Sequence, residues 1–309
     1  MRRLCTAAAL ASLCVASLGA TAGCTGPAAA PHPAGPSGSS GHATARASAT
    51  ATVRPKASQE TVPPAPRVTV TRMRTPDGSV MTVATFRGPL TYVLHSGSED
   101  PGAAAGRVRA GSAVRGAERK RLLAVFNGGF KLSAGAGGYE QEGHLASPLR
   151  RGLTSLVIDR SGQARIGIWG RGVPAPGEAV YSVRQNLPPL VHSGKPTALA
   201  ADWGVWGATL GGGEYVARSA LGQDAAGELV YAASMSATPA DLAAVLAYAG
   251  ARIAMELDIN PEWVQLDVAS RPGGPLRAAV HGQSRPANQF LVGWARDFIA
   301  VLAPADAGR

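Results

Sequence analysis

Two acids, Glu256 and Asp258, stand two residues apart in the stretch Arg252–Trp263. Ile253, Met255 and Leu257 alternate with Ala254, Glu256 and Asp258, the period of a strand with one apolar and one acidic face. Both carboxylates then point the same way, with Cα atoms roughly 6–7 Å apart at about 3.3 Å of rise per residue. Two carboxylates this close raise the pKa of at least one of them, as a general acid near neutral pH requires. Pro261 stops the strand, so the pair sits near its end, where a cleft can open. The same spacing also reads as a buried polar pair satisfied by Arg218 or Arg252, because acids on an apolar strand are costly when unpaired.

Other stretches carry groups of similar interest. Leu122–Phe126 reads as a buried strand running into Asn127-Gly128-Gly129-Phe130-Lys131. Asn-Gly is either a tight hairpin turn or a place where the backbone approaches a ligand and offers N–H groups to an anion. Gly135–Gly143 reads as a flexible loop, either solvated or forming a sugar-contacting lid with Tyr139 as a stacking group. Arg184-Gln185-Asn186, leaving the strand Val180–Val183, either faces a cleft or caps that strand. Asp202, Trp203 and Trp206 offer an acid and aromatic planes suited to a sugar, or two core indoles. Arg218, at the end of the strand Tyr215–Ala217, is a surface charge or a fork for two phosphate oxygens.

Several chemistries are disfavoured. The spacing of Glu140, Glu142, Asp258 and Glu262, the acids that could hold a cation such as calcium, matches no metal loop, so neither a metal nor another cofactor is expected. There is no Gly-x-Ser-x-Gly, no His-Glu-x-x-His and no P-loop ending. The formal net charge of +10 is dispersed, with no basic helix or aromatic-basic strand of a nucleic-acid module. No nucleic-acid partner is expected, whereas anionic substrates or an anionic wall suit the sign.

The elements that must position these groups follow from the rest of the 309 residues. Residues 1–24 read as an export signal: Arg2 and Arg3, then the apolar Leu4–Leu18, then Thr21-Ala22-Gly23-Cys24. That ending resembles a lipoprotein cleavage box with Cys24 as the lipidated residue; plain signal-peptidase cleavage and an uncleaved anchor are the alternatives. All three cysteines lie in this segment, which removes disulfide, thiol and Cys-metal chemistry from the rest. Residues 25–66, rich in Ala, Pro, Ser, Gly and Thr, form a linker without hydrophobic periodicity. The predicted location is therefore extracellular, anchored to the membrane and facing the cell wall.

Residues 67–304 are expected to be one domain, with 305–309 as a tail. Val68–Thr71 and Val80–Phe86 flank a Thr75–Gly78 turn, and Ser155–Ile158 and Ala164–Trp169 form a second hairpin. Thr238-Pro239-Ala240-Asp241 reads as a capped helix start, Leu242, Val245 and Leu246 keep helical spacing, and Gly250 ends it. Many strands and one strongly marked helix give an α+β class: a single domain with a strand-rich mixed sheet core and few helices.

Four segments, in order, resemble one family, the phosphodiester glycosidases. They are Phe126-Asn127-Gly128-Gly129-Phe130; Arg218-Ser219-Ala220-Leu221-Gly222 with the strand after it; Met235–Gly250; and Leu257-Asp258, the start of a Leu-Asp-Gly-Gly-Gly-Ser motif. Ile259-Asn260-Pro261-Glu262 replaces the family's Gly-Gly-Gly-Ser, and Glu256 stands where the family has a neutral residue. The resemblance implies hydrolysis of a glycosyl phosphodiester or related glycosidic bond. Arg218 would then hold the phosphate with the N–H groups around Gly128 and Gly129, Asp258 and Glu256 would be the acid/base pair, and Asn127 and Asn260 would orient sugar hydroxyls. The alternative is a non-catalytic lipoprotein that binds wall glycans in the same cleft.

Overall fold

The Thr75–Ser79 turn folds because both flanking hydroxyls, of Thr75 and Ser79, donate to the Asp77 carboxylate. It closes a hairpin in which Val68–Arg74 lies antiparallel to Val80–Phe86. This hairpin edges a seven-stranded antiparallel sheet that continues through Leu229–Ala237, Val216–Gln223, Ile253–Glu256, Val191–His192 and Lys195–Pro196. The fold is seen in a computed structural model that describes residues 67–208 and 212–305. The signal, the linker and Cys24 lie outside the described residues, as do most of the expected strand Ala208–Leu210 and residues 306–309.

A five-stranded sheet runs Leu276–Ala278, Leu266–Ala269, Leu122–Asn127, Phe298–Leu302, Thr91–His95. A six-stranded sheet holds the Thr154–Ile158/Ala164–Trp169 hairpin together with Tyr139–Gln141 and Ser182–Gln185, and its edge pair is parallel. Among the described residues there are three helices, two of them six residues or shorter, so the class is α+β with a mostly antiparallel strand core. None of these helices is long and apolar enough to cross a membrane.

The one long helix, Pro239–Tyr248, starts as its sequence dictates. The Thr238 hydroxyl accepts from the Asp241 N–H, and the Asp241 carboxylate accepts from the Thr238 N–H, a reciprocal capping box with Pro239 at the first helical position. Gly250, at φ +97°, then turns the chain back. Leu242, Val245 and Leu246 are buried against Val230, Ala232 and Ala254 of the seven-stranded sheet. Each such side chain contributes about 1.5–3 kcal/mol of burial. The opposite face of that sheet, with Tyr231, Met255 and Leu257, meets Phe126, Ile299 and Leu156 of the other two sheets in a second core. The acidic strand is therefore enclosed on both faces.

Three expectations change. Arg218–Gly222 is the middle of the strand Val216–Gln223, not a segment beyond its end. Small residues allow this: a Cβ on Gly222 would lie 2.7 Å from the Ala251 Cβ. The Gly135–Gly143 loop contains a strand, Tyr139–Gln141, because Tyr139 is pulled into the core. Asn127-Gly128 makes no hairpin; Leu122–Asn127 is flanked by strands from elsewhere in the chain.

Candidate active site

The acidic strand ends at Glu256, two residues earlier than its alternation implies. Glu256 is still paired opposite Ala220, and the Leu257 N–H still donates to the Ser219 carbonyl at 2.7 Å. The Asp258 N–H instead donates to the Gly128 carbonyl at 2.9 Å, so the chain passes from the seven-stranded sheet to the end of Leu122–Asn127 in the five-stranded one. Asn127 ties this seam. Its Nδ2 donates to Ser219 Oγ at 2.9 Å, its Oδ1 accepts from the Tyr231 hydroxyl at 2.9 Å, and Ser219 Oγ donates to the Asp258 carbonyl at 2.7 Å.

Beyond the seam the chain borders a cavity of about 670 Å³, within the range of small-molecule sites. Phe130, Lys131, Leu187, Asp258, Asn260 and Trp263 line it, and Gly204, Val205, Gly207 and Ala208 form a further wall. Asp258 is 5% exposed. Its Oδ1 accepts from the Asn260 N–H at 2.9 Å, and its Oδ2 lies 3.4 Å from Arg296 Nη2. Burial pushes its pKa up to about 6, against the opposing pull of the Asn260 N–H and Arg296. Two cations lie over the Trp263 ring, the Arg296 guanidinium at 4.4 Å and Lys131 Nζ at 5.0 Å from its centroid.

Glu256 and Arg218 take a different position from the one expected of catalytic groups. Both are fully buried, with Arg218 Nη1 2.7 Å from Glu256 Oε1, and Arg218 also donates to the carbonyls of Ala237 and Trp206. This is the buried polar pair of the alternative reading, with Arg218 rather than the exposed Arg252 as partner. Neither residue lines the cavity. Burial raises Glu256 to about 8 and outweighs the lowering by Arg218. Glu256 Oε2 and Arg218 Nη2 find no partner among the described residues.

Six of the expected sugar or phosphate contacts are occupied internally. Asn127 spends its amide on the seam. The Gly128 N–H donates to the Asp297 carbonyl and the Gly129 N–H to Asp297 Oδ2, so neither is offered to an anion. Arg184 is buried on Asp297, with Nε 2.8 Å from Oδ2, and also donates to the Phe130 carbonyl. The Tyr139 hydroxyl donates to Gln141 Oε1 at 2.7 Å inside the core, where burial pushes its pKa up. Trp206 is likewise buried, its Nε1 donating to the Leu199 carbonyl at 2.7 Å. Of the expected contacts, Asn260 remains on the cavity, with Asp258.

The acids considered for a cation are dispersed. Glu142 accepts from the N–H groups of Arg109 and Ala110, and Glu262 pairs with Arg285 at 2.7 Å. Among the described residues no three His, Cys, Asp or Glu side chains group around a metal position.

The residues that sequence reasoning missed are Lys131, Trp263, Arg296 and Asp297. Lys131 and Trp263 end stretches already singled out. A charged dipeptide, Arg296-Asp297, directly before the wholly buried strand Phe298–Leu302 is itself a signal, since charges enter a core when they have partners there.

No protein-family model matches the sequence, and no curated protein matches it. Among solved structures, the chain is similar to the zebrafish N-acetylglucosamine-1-phosphodiester alpha-N-acetylglucosaminidase catalytic domain, described as auto-inhibited by its pro-peptide. The identity is 14%, over 77% of this chain and 82% of that one, at a TM-score of 0.48. A hypothetical protein from Synechocystis aligns at 14% identity over 76% of this chain and 61% of that one, at 0.45. A putative exported protein from Burkholderia pseudomallei aligns at 16% over 77% and 58%, at 0.27. These are distant likenesses of fold.

Proposed function

We propose that the chain is a hydrolase that cleaves a glycosyl phosphodiester or related glycosidic bond in a cell-surface glycan, with Asp258 as the acting carboxylate. The observation that carries this is the make-up of the cavity: one carboxylate, Asp258, faces it beside aromatic planes, an amide and an ammonium. A single carboxylate suits a phosphodiester. Phosphate leaves as an anion and needs no proton, so the general acid that most glycosidases require is dispensable.

With its pKa near 6, Asp258 is mostly ionised at pH 7, by about ten to one. It takes a proton from water as the water attacks the anomeric carbon. The bond from that carbon to the phosphate oxygen breaks, and its electron pair leaves with the phosphate. Lys131 lies where it can meet the leaving charge, Trp263 and Phe130 supply faces for the sugar ring, and Asn260 an amide for its hydroxyls. The ordered motif resemblance points the same way. In this reading the protein is secreted and held at the surface through Cys24, and loss of labelled fatty acid from a Cys24→Ala chain tests the anchor.

The test of the activity is release of free sugar from a panel of sugar-1-phosphodiesters and wall-polymer fragments by the full chain. Turnover that Asp258→Asn abolishes while the fold is kept supports the hydrolase. Absence of turnover, with glycan binding that Asp258→Asn or Trp263→Ala weakens, favours a wall-glycan-binding protein instead. For a glycosidic bond whose leaving group needs a proton, the sealing of Glu256 away from the cavity favours that second reading, because it leaves Asp258 without a carboxylate partner.

A further inference from the structure

The Arg296 guanidinium is divided between two acids. Nη2 lies 3.4 Å from Asp258 Oδ2, and Nη1 lies 3.1 Å from Asp100 Oδ2. Nη2 donates to the Gly129 carbonyl at 3.1 Å, and the plane packs on Trp263. Arg296 is 3% exposed, yet neither its Nε nor its Nη1 completes a hydrogen bond among the described residues. A guanidinium gives its full stabilisation to a carboxylate through two parallel N–H bonds, and here neither acid receives that fork. Asp100 is itself held in place, because the same Oδ2 accepts the Leu132 N–H at 3.1 Å.

We infer that Arg296 is a positioning residue for Asp258, and that Asp100 limits how much of its charge Asp258 receives. The inference rests on the reading of Asp258 as the acting group. Asp258 is surrounded by Arg296, by the Arg184–Asp297 pair and by Glu256, with Lys131 on the same cavity. Of these, Arg184 is committed to Asp297, and Glu256 to Arg218. Arg296 alone is shared with an acid outside this cluster, so Asp100 can alter Asp258 without touching the cavity. Removing Asp100 both deletes a negative charge and frees the guanidinium to turn wholly to Asp258. Removing Arg296 leaves Asp258 buried with less positive charge beside it.

The two substitutions therefore move Asp258 in opposite directions, which a merely structural role does not explain. The full chain is labelled with ¹³C at aspartate carboxyls, and the Asp258 signal is identified by its loss in Asp258→Asn. In a pH titration, Asp100→Asn is expected to lower the Asp258 midpoint by about one unit and Arg296→Gln to raise it by about one unit or more, with Arg296→Lys restoring part of the difference. The acid limb of sugar release is expected to move with each midpoint. An unmoved midpoint in Asp100→Asn, or a lowered one in Arg296→Gln, overturns the inference. If Arg296→Gln does not fold, Asp100→Asn decides alone. Midpoints that move as expected in a chain that releases no sugar remove the proposed activity and leave the inference standing; turnover with fixed midpoints does the reverse.

Discussion

Glu256 and Asp258 are two residues apart and each meets an arginine, yet they occupy opposite environments. Glu256 is locked to Arg218 at 2.7 Å beneath a helix-covered sheet, with no exposure. Asp258 touches a shared arginine at 3.4 Å and borders a cavity. What separates them is one change of backbone partner, from Ser219 to Gly128. A side chain's chemistry is thus decided less by its neighbours in sequence than by which sheet its stretch of backbone joins.

The largest expected effect breaks the buried pair. Above about pH 8, where Glu256 is ionised, Arg218→Ala or Glu256→Ala alone leaves an uncompensated buried charge and is expected to cost about 3–5 kcal/mol in urea unfolding. The double variant Arg218→Met/Glu256→Leu should recover most of that loss, because both charges leave together. Recovery of nothing would mean that the pair does more than neutralise itself.

Asp258→Asn is the opposite case. It should lower sugar release by about 10²–10⁴-fold while the melting temperature stays within a few degrees of the parent. A collapse of stability would place Asp258 with Glu256 as a structural acid.

Asp267 sharpens the comparison as an acid with no arginine partner among the described residues. It is buried, held by the side-chain amides of Gln265 and Gln283, and burial raises it to about 7. Its folded value lies above its ordinary one near 3.8, so the folded state binds the extra proton. Its contribution to stability is full below about pH 4 and is lost as the pH rises through 7. Asp258 and Glu256 carry the same sign. Thermal melts should therefore fall from mildly acidic to alkaline pH, and Asp267→Asn should flatten that slope. A rising slope in the parent contradicts the raised values.

The smallest effect belongs to Lys131→Met. Its ammonium over Trp263 is worth about 0.5–1 kcal/mol at an exposed site, so stability changes little. KM for anionic substrates should rise several-fold while neutral glycans are unaffected; equal changes for both would leave Lys131 without a role in reading charge.

Local features were legible from residues alone. The Thr238 capping box, the Thr75–Ser79 hairpin and the Thr154–Trp169 hairpin depend on groups within a few positions of one another, and each formed as its residue types require. The seam was not legible, because Ile253–Asp258 keeps its alternation past the residue where the pairing ends. Nor were the partners of the charged groups. Arg184 meets Asp297 across 113 positions, and Asn127 meets Ser219 across 92. Tyr139 and Trp206 have the types of a sugar site and the surroundings of a core, since an indole or phenol with one internal acceptor is content in either. Asn260 and Asp258 reached the cavity because they follow the strand end that Pro261 signals.

The adjacent glycines divide the molecule for anyone who wishes to retarget it. A Cβ on Gly128 would fall 2.0 Å from Asp297 Oδ2, and one on Gly129 2.8 Å from the Arg184 Cζ. Saturation libraries should therefore find Gly128 closed to every other residue, since the Asp297 carbonyl also lies 2.7 Å from that Cβ, and Gly129 open only to substitutions that displace the Arg184 guanidinium from Asp297. Lys131, Asn260 and Trp263 stand just past that fixed frame and line the same space, so diversity placed there would vary recognition while the scaffold stays constant.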